Sequence, residues 1–230
     1  MDRTGAEKER RCCFIGRAVI IYGKSGSGKS RSLKNFGEDE IFLVNVTEKD
    51  LPFRKNFKYV FKSDDAAKIV AGLQKMPTKV AVIDDATYIM VNKFMREHGN
   101  KNINQFDLYN EIAGNMFGLF QLVKGLPEDV IVYFILHEDR DDNYGTVKIR
   151  TIGKLLDQKC PLEALVTVCL RCATDGQRHY FVTQSDGYDI TKSPEEMFAE
   201  REIENDLKAV DGKIREYYGL NKSNDKEKKA

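Results

Sequence analysis

At 230 residues, with 41% hydrophobic content, 13 Phe and 10 Tyr, the chain can bury a sizeable core and is sized for one domain. Lys+Arg at 37 against Asp+Glu at 36 leave a net charge of +1, which excludes nucleic-acid binding driven by bulk charge; a basic surface has to come from local segregation. No apolar run approaches the ~20 residues of a membrane span, residues 1–11 carry both signs of charge and do not read as a secretion signal, and an odd count of cysteines (5) fits reduced thiols in the cytoplasm.

In chain order, residues 1–11 read as a flexible polar arm and residues 12–192 as the folded domain. Residues 17–22 (RAVIIY) form an apolar, β-branched run that predicts a buried strand. Directly after it comes Gly23-Lys24-Ser25-Gly26-Ser27-Gly28-Lys29-Ser30, which fits the phosphate-binding pattern G-x-x-x-x-G-K-[ST] without mismatch. The chemistry follows from the residue types. Glycines admit backbone angles closed to other residues and leave room for phosphate to approach the main chain. Successive N–H groups make an anion nest, and a helix from Ser30 to Phe36 would add its positive end. Lys29 is expected to reach the β- and γ-phosphates, and Ser30 to offer its hydroxyl to Mg²⁺. A nucleoside triphosphate and Mg²⁺ are therefore the expected ligands.

Residues 41–46 read as the next strand, with Glu48 just beyond it, and 58–61 as a short strand. Residues 64–75 predict an amphipathic helix with Ala67, Ile69, Val70 and Leu73 on its apolar side. In residues 79–85 (KVAVIDD), four apolar positions lead into two acids. Such a strand presents Asp84 at the sheet edge to hold Mg²⁺ through its water shell, and Asp85 to orient or activate the attacking water; Asp85 also qualifies as the N-cap of the helix at 86–97. Residues 106–124 predict a long helix ended by Gly125 and Pro127. Residues 129–136 form a further core strand that delivers His137 to the same edge as Asp84. An acidic loop (138–144), a strand (146–150) and a stretch leading into a short helix (151–157) follow. Paired strands are expected at 163–172 and 179–183. In that first run, Cys169 and Cys172 face opposite sides and read as buried thiols rather than metal ligands. Ser193-Pro194-Glu195-Glu196 reads as the start of a C-terminal helix over 193–219, followed by a disordered charged tail at 220–230. The fold expected is a single α/β domain with a largely parallel sheet covered by helices on both faces.

Over residues 15–199 the chain resembles the small phage-type ATP-binding proteins of the RecA-like branch of P-loop NTPases, grouped with single-strand annealing or recombination ATPases. The likeness rests on residues 22–30, on 82–85 followed by Tyr88, and on Leu136-His137. It continues through 151–157 (TIGKLLD), 181–187 (FVTQSDG) and Lys192 to Pro194 with Phe198. It implies a three-layer fold and ATP hydrolysis linked to single-stranded DNA in phage recombination or replication, in the host cytoplasm. It also implies a homo-oligomeric ring or filament, other phage proteins as partners, and His137 sensing the γ-phosphate. In such assemblies a basic residue from one subunit completes the neighbour's site, and Arg150, Lys154 and Lys192 are the candidates. The glutamate that usually serves as general base in the bacterial recombinases is not evident; Asp85 or Glu48 stands in for it. Two other readings share the loop: a nucleotide-dependent assembly or packaging factor, and a small-molecule or nucleotide kinase. Against the kinase, no arginine-rich lid segment is present.

Overall fold

The computed structural model describes residues 15–141 and 144–220, so the 1–11 arm, Cys12, Cys13 and the tail beyond residue 220 lie outside the described residues. Strands β1 (Arg17–Gly23), β2 (Ile41–Asn45), β3 (Tyr59–Lys62), β4 (Val80–Asp84), β5 (Ile131–Arg140), β6 (Val147–Ile149), β7 (Val168–Thr174), β8 (His179–Val182) and β9 (Glu202–Glu204) join in one nine-stranded sheet. The helices are α1 (Ala66–Gln74), α2 (Thr87–Glu97), α3 (Gln105–Lys124) and α4 (Leu207–Tyr217). The strand order is β3-β2-β4-β5-β1-β7-β8-β9, with β6 paired to the far end of β5. From β3 to β7 every neighbouring pair is parallel; β8, β9 and β6 join antiparallel.

The central strands are apolar on both faces, as a sheet covered on both sides requires. Alternate residues feed two cores. Ile20 and Tyr22 of β1, Ala81 and Ile83 of β4, and Val132, Phe134 and Leu136 of β5 pack with α1, α2 and α3. Val19, Ile21, Val80, Val82, Tyr133 and Ile135 face the other side, against Leu33, Phe36, Phe57 and the α4 residues Leu207, Val210 and Ile214. The arrangement is an α/β fold with a mostly parallel mixed sheet between helical layers. Cys169 and Cys172 fall in opposite cores, as period-two alternation demands. Among the described residues no helix is long and apolar enough to cross a membrane.

Helix ends follow local chemistry. Asp65 caps α1 by accepting from Lys68 N, Asn104 caps α3 through Phe106 N, and Gly125 closes α3. Tyr133 at the centre of the sheet donates its hydroxyl to Asp211 of α4 at 2.9 Å, and Arg215 reaches the same carboxylate at 2.6 Å. That buried pairing clamps α4 to the sheet.

Four expectations are corrected. The segment after the glycine-rich loop is a 3-10 turn over Ser30–Asn35, not an α-helix through Phe36. Ser32 turns its hydroxyl back onto Lys29 O at 2.6 Å, a local bond that competes with helix continuation. The C-terminal helix does not begin at 193: Glu196 has φ 63°, and β9 occupies 202–204 before α4 starts at Leu207. Pairing of Ile203 with Phe181 on β8 prevails over the Pro194 start signal. Residues 162–165 form a 3-10 turn, so β7 begins at Val168 instead of 163. Finally, β5 runs on through Arg140, where a loop was expected from 138.

Candidate functional site

Strand register gathers the predicted residues at one edge. Gly23 lies beside His137 in the β1–β5 ladder, and Asn45 beside Asp84 in the β2–β4 ladder. Ligand sites of open parallel sheets form at this carboxyl edge. Here it carries a cleft of about 870 Å³, lined by loop residues Lys24, Ser25, Gly26, Gly28, Lys29 and Ser30 and by Asp85, His137, Arg150 and His179, among others.

The loop's shape comes from its glycines and from what lies under it. Gly26 and Gly28 adopt φ of 80° and 100°, the left-handed region glycine tolerates. Gly23 is needed for closeness: a Cβ there would stand 2.3 Å from Cys172 O and 2.7 Å from Ser27 Oγ. The underside is bonded through Ser27 O, which accepts from His179 Nδ1 at 2.8 Å and from Cys172 Sγ at 3.1 Å. Asn205 donates to Cys172 Sγ at 3.2 Å, and burial pushes this thiol up to about 11. Ser27 Oγ is buried with no hydrogen-bond partner among the described residues.

Lys29 is buried, and its ammonium donates to Gly23 O at 2.8 Å and Lys24 O at 2.7 Å. Desolvation holds its pKa below the ordinary lysine value, although Asp85 and Asp84 pull the other way. The Ser30 hydroxyl donates to Asp84 Oδ1 at 2.9 Å, joining the loop to the end of β4. Burial, and then the neighbouring Asp85 charge, push Asp84 up to about 6 against the Ser30 hydrogen bond. A hydroxyl and a carboxylate are hard oxygen donors, the set that suits Mg²⁺. Among the described residues no group of three or more His, Cys, Asp and Glu could hold a metal alone. Ser30 and Asp84 alone would leave most of the coordination shell of such an ion to be filled by other oxygen ligands.

Asp85 sits in the turn after β4 with φ 60°, a conformation Asp tolerates better than most residues. Its side chain does not cap α2. Oδ1 accepts from His137 Nε2 at 3.1 Å, Oδ2 accepts from Thr47 Oγ1 at 3.3 Å, and Lys49 Nζ lies 3.6 Å from Oδ2. Burial pushes Asp85 upward, but His137, Lys49 and Lys29 outweigh it and hold the carboxyl below its usual range. His137 is fixed in turn: its backbone N–H donates to Thr87 Oγ1 at 2.9 Å, and Tyr88 meets its ring edge-on at 5.8 Å. Glu138, next along β5, is buried and takes both arms of Arg171 on β7 at 2.9 and 3.2 Å.

The remaining candidates separate. Glu48 is exposed and lines a different depression, with Asn45 and Asp50, outside the cleft. Arg150 lines the cleft with its Nη2 3.9 Å from Asp139 Oδ1, whereas Lys154 and Lys192 are not among its lining residues. Sequence reasoning missed Lys49, Thr47, Arg171 and His179. His179 contacts the loop across 152 positions of chain, and no local pattern signals such a contact. Lys49 adjoins Glu48, whose left-handed φ of 56° redirects the chain there, and it is Lys49 that reaches Asp85.

Against known proteins, no family model matches the chain and no curated protein does.

Proposed function

We propose that this chain binds a nucleoside triphosphate with Mg²⁺ at the 23–30 loop and hydrolyses it. The observation that carries the reading is the 2.9 Å bond between Ser30 Oγ and Asp84 Oδ1. It joins the hydroxyl of the G-x-x-x-x-G-K-[ST] pattern to the acid ending buried strand β4, which lies beyond β5 from β1; the two features are found separately in sequence. In this reading Lys29 leaves the loop carbonyls Gly23 O and Lys24 O to meet phosphate, so the ammonium exchanges one set of acceptors for another. Ser30 and Asp84 hold the Mg²⁺, which when bound neutralises charge developing on the phosphate oxygens.

Asp85 faces the cleft beside His137, and both of its oxygens are already engaged. That arrangement suits orienting a water, with His137 and Lys49 offering positive or donor groups on the same side. Phosphoryl transfer requires mainly positioning and charge stabilisation, so a strong base is not needed. The link to single-stranded DNA, to phage recombination or replication, and to rings or filaments rests on the sequence resemblance. Steady-state ATP hydrolysis with Mg²⁺, with and without single-stranded DNA, tests both layers. Turnover is expected in the wild type and to be lost in Lys29→Ala or on chelation of Mg²⁺. Full turnover in Lys29→Ala overturns the site; turnover indifferent to DNA favours the assembly-factor reading.

A further inference from the structure

On the side of the loop away from β4 and β5, the surface sinks into a second depression of about 580 Å³. It is walled by Arg31, by His179 and Tyr180 of β8, and by Glu200, Glu202 and Glu204 around β9. Arg31 and His179 line this depression and the main cleft alike, so the two meet at those side chains. Strand order supplies a direction. Asp84, Asp85 and His137 stand on the β4–β5 side of β1, and β8 and β9 stand on the other. A phosphate chain whose end lies at Lys29, Ser30 and Asp84 would have Asp85, His137 and Tyr88 lining the cleft on that side. Arg31 and His179, shared by both depressions, offer the rest of the molecule a path past Gly28 toward β8 and β9.

The chemistry of the walls agrees. Glu202 is paired with Arg178, which also lines the depression, but Glu200 and Glu204 disfavour another phosphate and suit hydroxyl and amino donors. Flat groups are at hand: the His179 ring lies so close to Gly28 that an added Cβ would come within 2.8 Å of it. His179 Nδ1 donates to Ser27 O, which fixes the ring beside the loop. The Tyr180 ring carries the Arg178 guanidinium 4.8 Å from its centroid. Arg178 is itself held by Asp175 at 3.2 Å and Glu202 at 2.6 Å, so it braces the tyrosine rather than reaching for phosphate.

We propose that this depression is the nucleoside subsite, taking a ribose and an amino-bearing base such as adenine; the inference rests on the loop 23–30 being the phosphate site. Calorimetric titration of the full chain in Mg²⁺ with inorganic tripolyphosphate, ATP and UTP separates the two claims. ATP is expected to bind about tenfold more tightly than tripolyphosphate, the scale of one stacked base, and more tightly than UTP. Tyr180→Ala, and independently the double change Glu200→Ala with Glu204→Ala at exposed positions, should bring the ATP-to-tripolyphosphate ratio toward one while tripolyphosphate still binds. A ratio near one in the wild type, or a ratio unchanged in both variants, overturns the subsite. Equal affinities for ATP and UTP overturn the amino-bearing base. Failure of tripolyphosphate and ATP alike overturns the phosphate site itself, and the inference falls with it.

Discussion

Gly23→Ala isolates a purely steric demand at the point where β1 hands over to the loop. Gly23 does not have positive φ, so alanine meets no conformational penalty there. The new Cβ would instead stand 2.3 Å from Cys172 O, a main-chain atom of β7, and 2.7 Å from Ser27 Oγ. An ordinary carbon–oxygen contact is about 3.3 Å, so β1 and β7 must separate locally by about 1 Å. Overpacking against backbone on this scale costs about 2–3 kcal/mol, or roughly 5–10 °C in Tm for a chain of this size. Gly26→Ala is the control. Its Cβ meets nothing within 4 Å, and φ 80° is the only penalty, about 1 kcal/mol. Thermal and urea melts of both variants, with nucleotide titration alongside, give the comparison. Gly23→Ala should be clearly the less stable of the two, whereas Gly26→Ala, with its methyl in the cleft, should lose affinity out of proportion to stability. A Gly23→Ala protein melting within about 1 °C of wild type, or more stably than Gly26→Ala, refutes the argument.

Asp84→Asn keeps the shape and a partner for Ser30, and should cut Mg²⁺-dependent hydrolysis by roughly 100-fold or more without lowering Tm, since a buried charge is removed; steady-state rates and a melt check both. Tyr22→Phe deletes the buried 2.8 Å bond to Thr191 Oγ1 and should cost about 1–2 kcal/mol in urea unfolding, part of it regained when Thr191→Val is added. Gly114→Ala and Gly118→Ala in α3 face open space and should each stabilise by about 0.5–1 kcal/mol, read as a rise in urea midpoint.

The central strands were legible in sequence because each is an apolar run that must be buried on both faces; β1, β4 and β5 lie where hydrophobicity puts them. The loop, Asp84, Asp85 and His137 were legible for the same reason, as polar residues at the ends of those runs. What escaped was set by contacts distant in sequence. Glu202–Glu204 carries one inward residue, Ile203, too little pattern to announce a strand, and its pairing to β8 decides the local structure. The start of α4 did have a signal in Asp206, whose carboxylate accepts from Lys208 N and Ala209 N, followed by Leu207, Val210 and Ile214 at helical spacing. The Pro194 signal upstream outranked it on local grounds alone.

The anchorage of the loop has a consequence for how the protein is made. Ser27 O is held through Cys172, which is held by Asn205; Arg31 also reaches Asn205, at 3.3 Å, and Asn35 reaches Asp206 at 2.6 Å. A ribosome delivers the N-terminal side first, at roughly 5–20 residues per second. The 23–30 loop therefore emerges early and waits for its footing until most of the chain has been synthesised. A nascent or broken chain ending before Asn205 carries every residue of the motif, yet lacks the support that shapes it. The loop's supported shape thus arrives late in translation, once the fold is nearly complete.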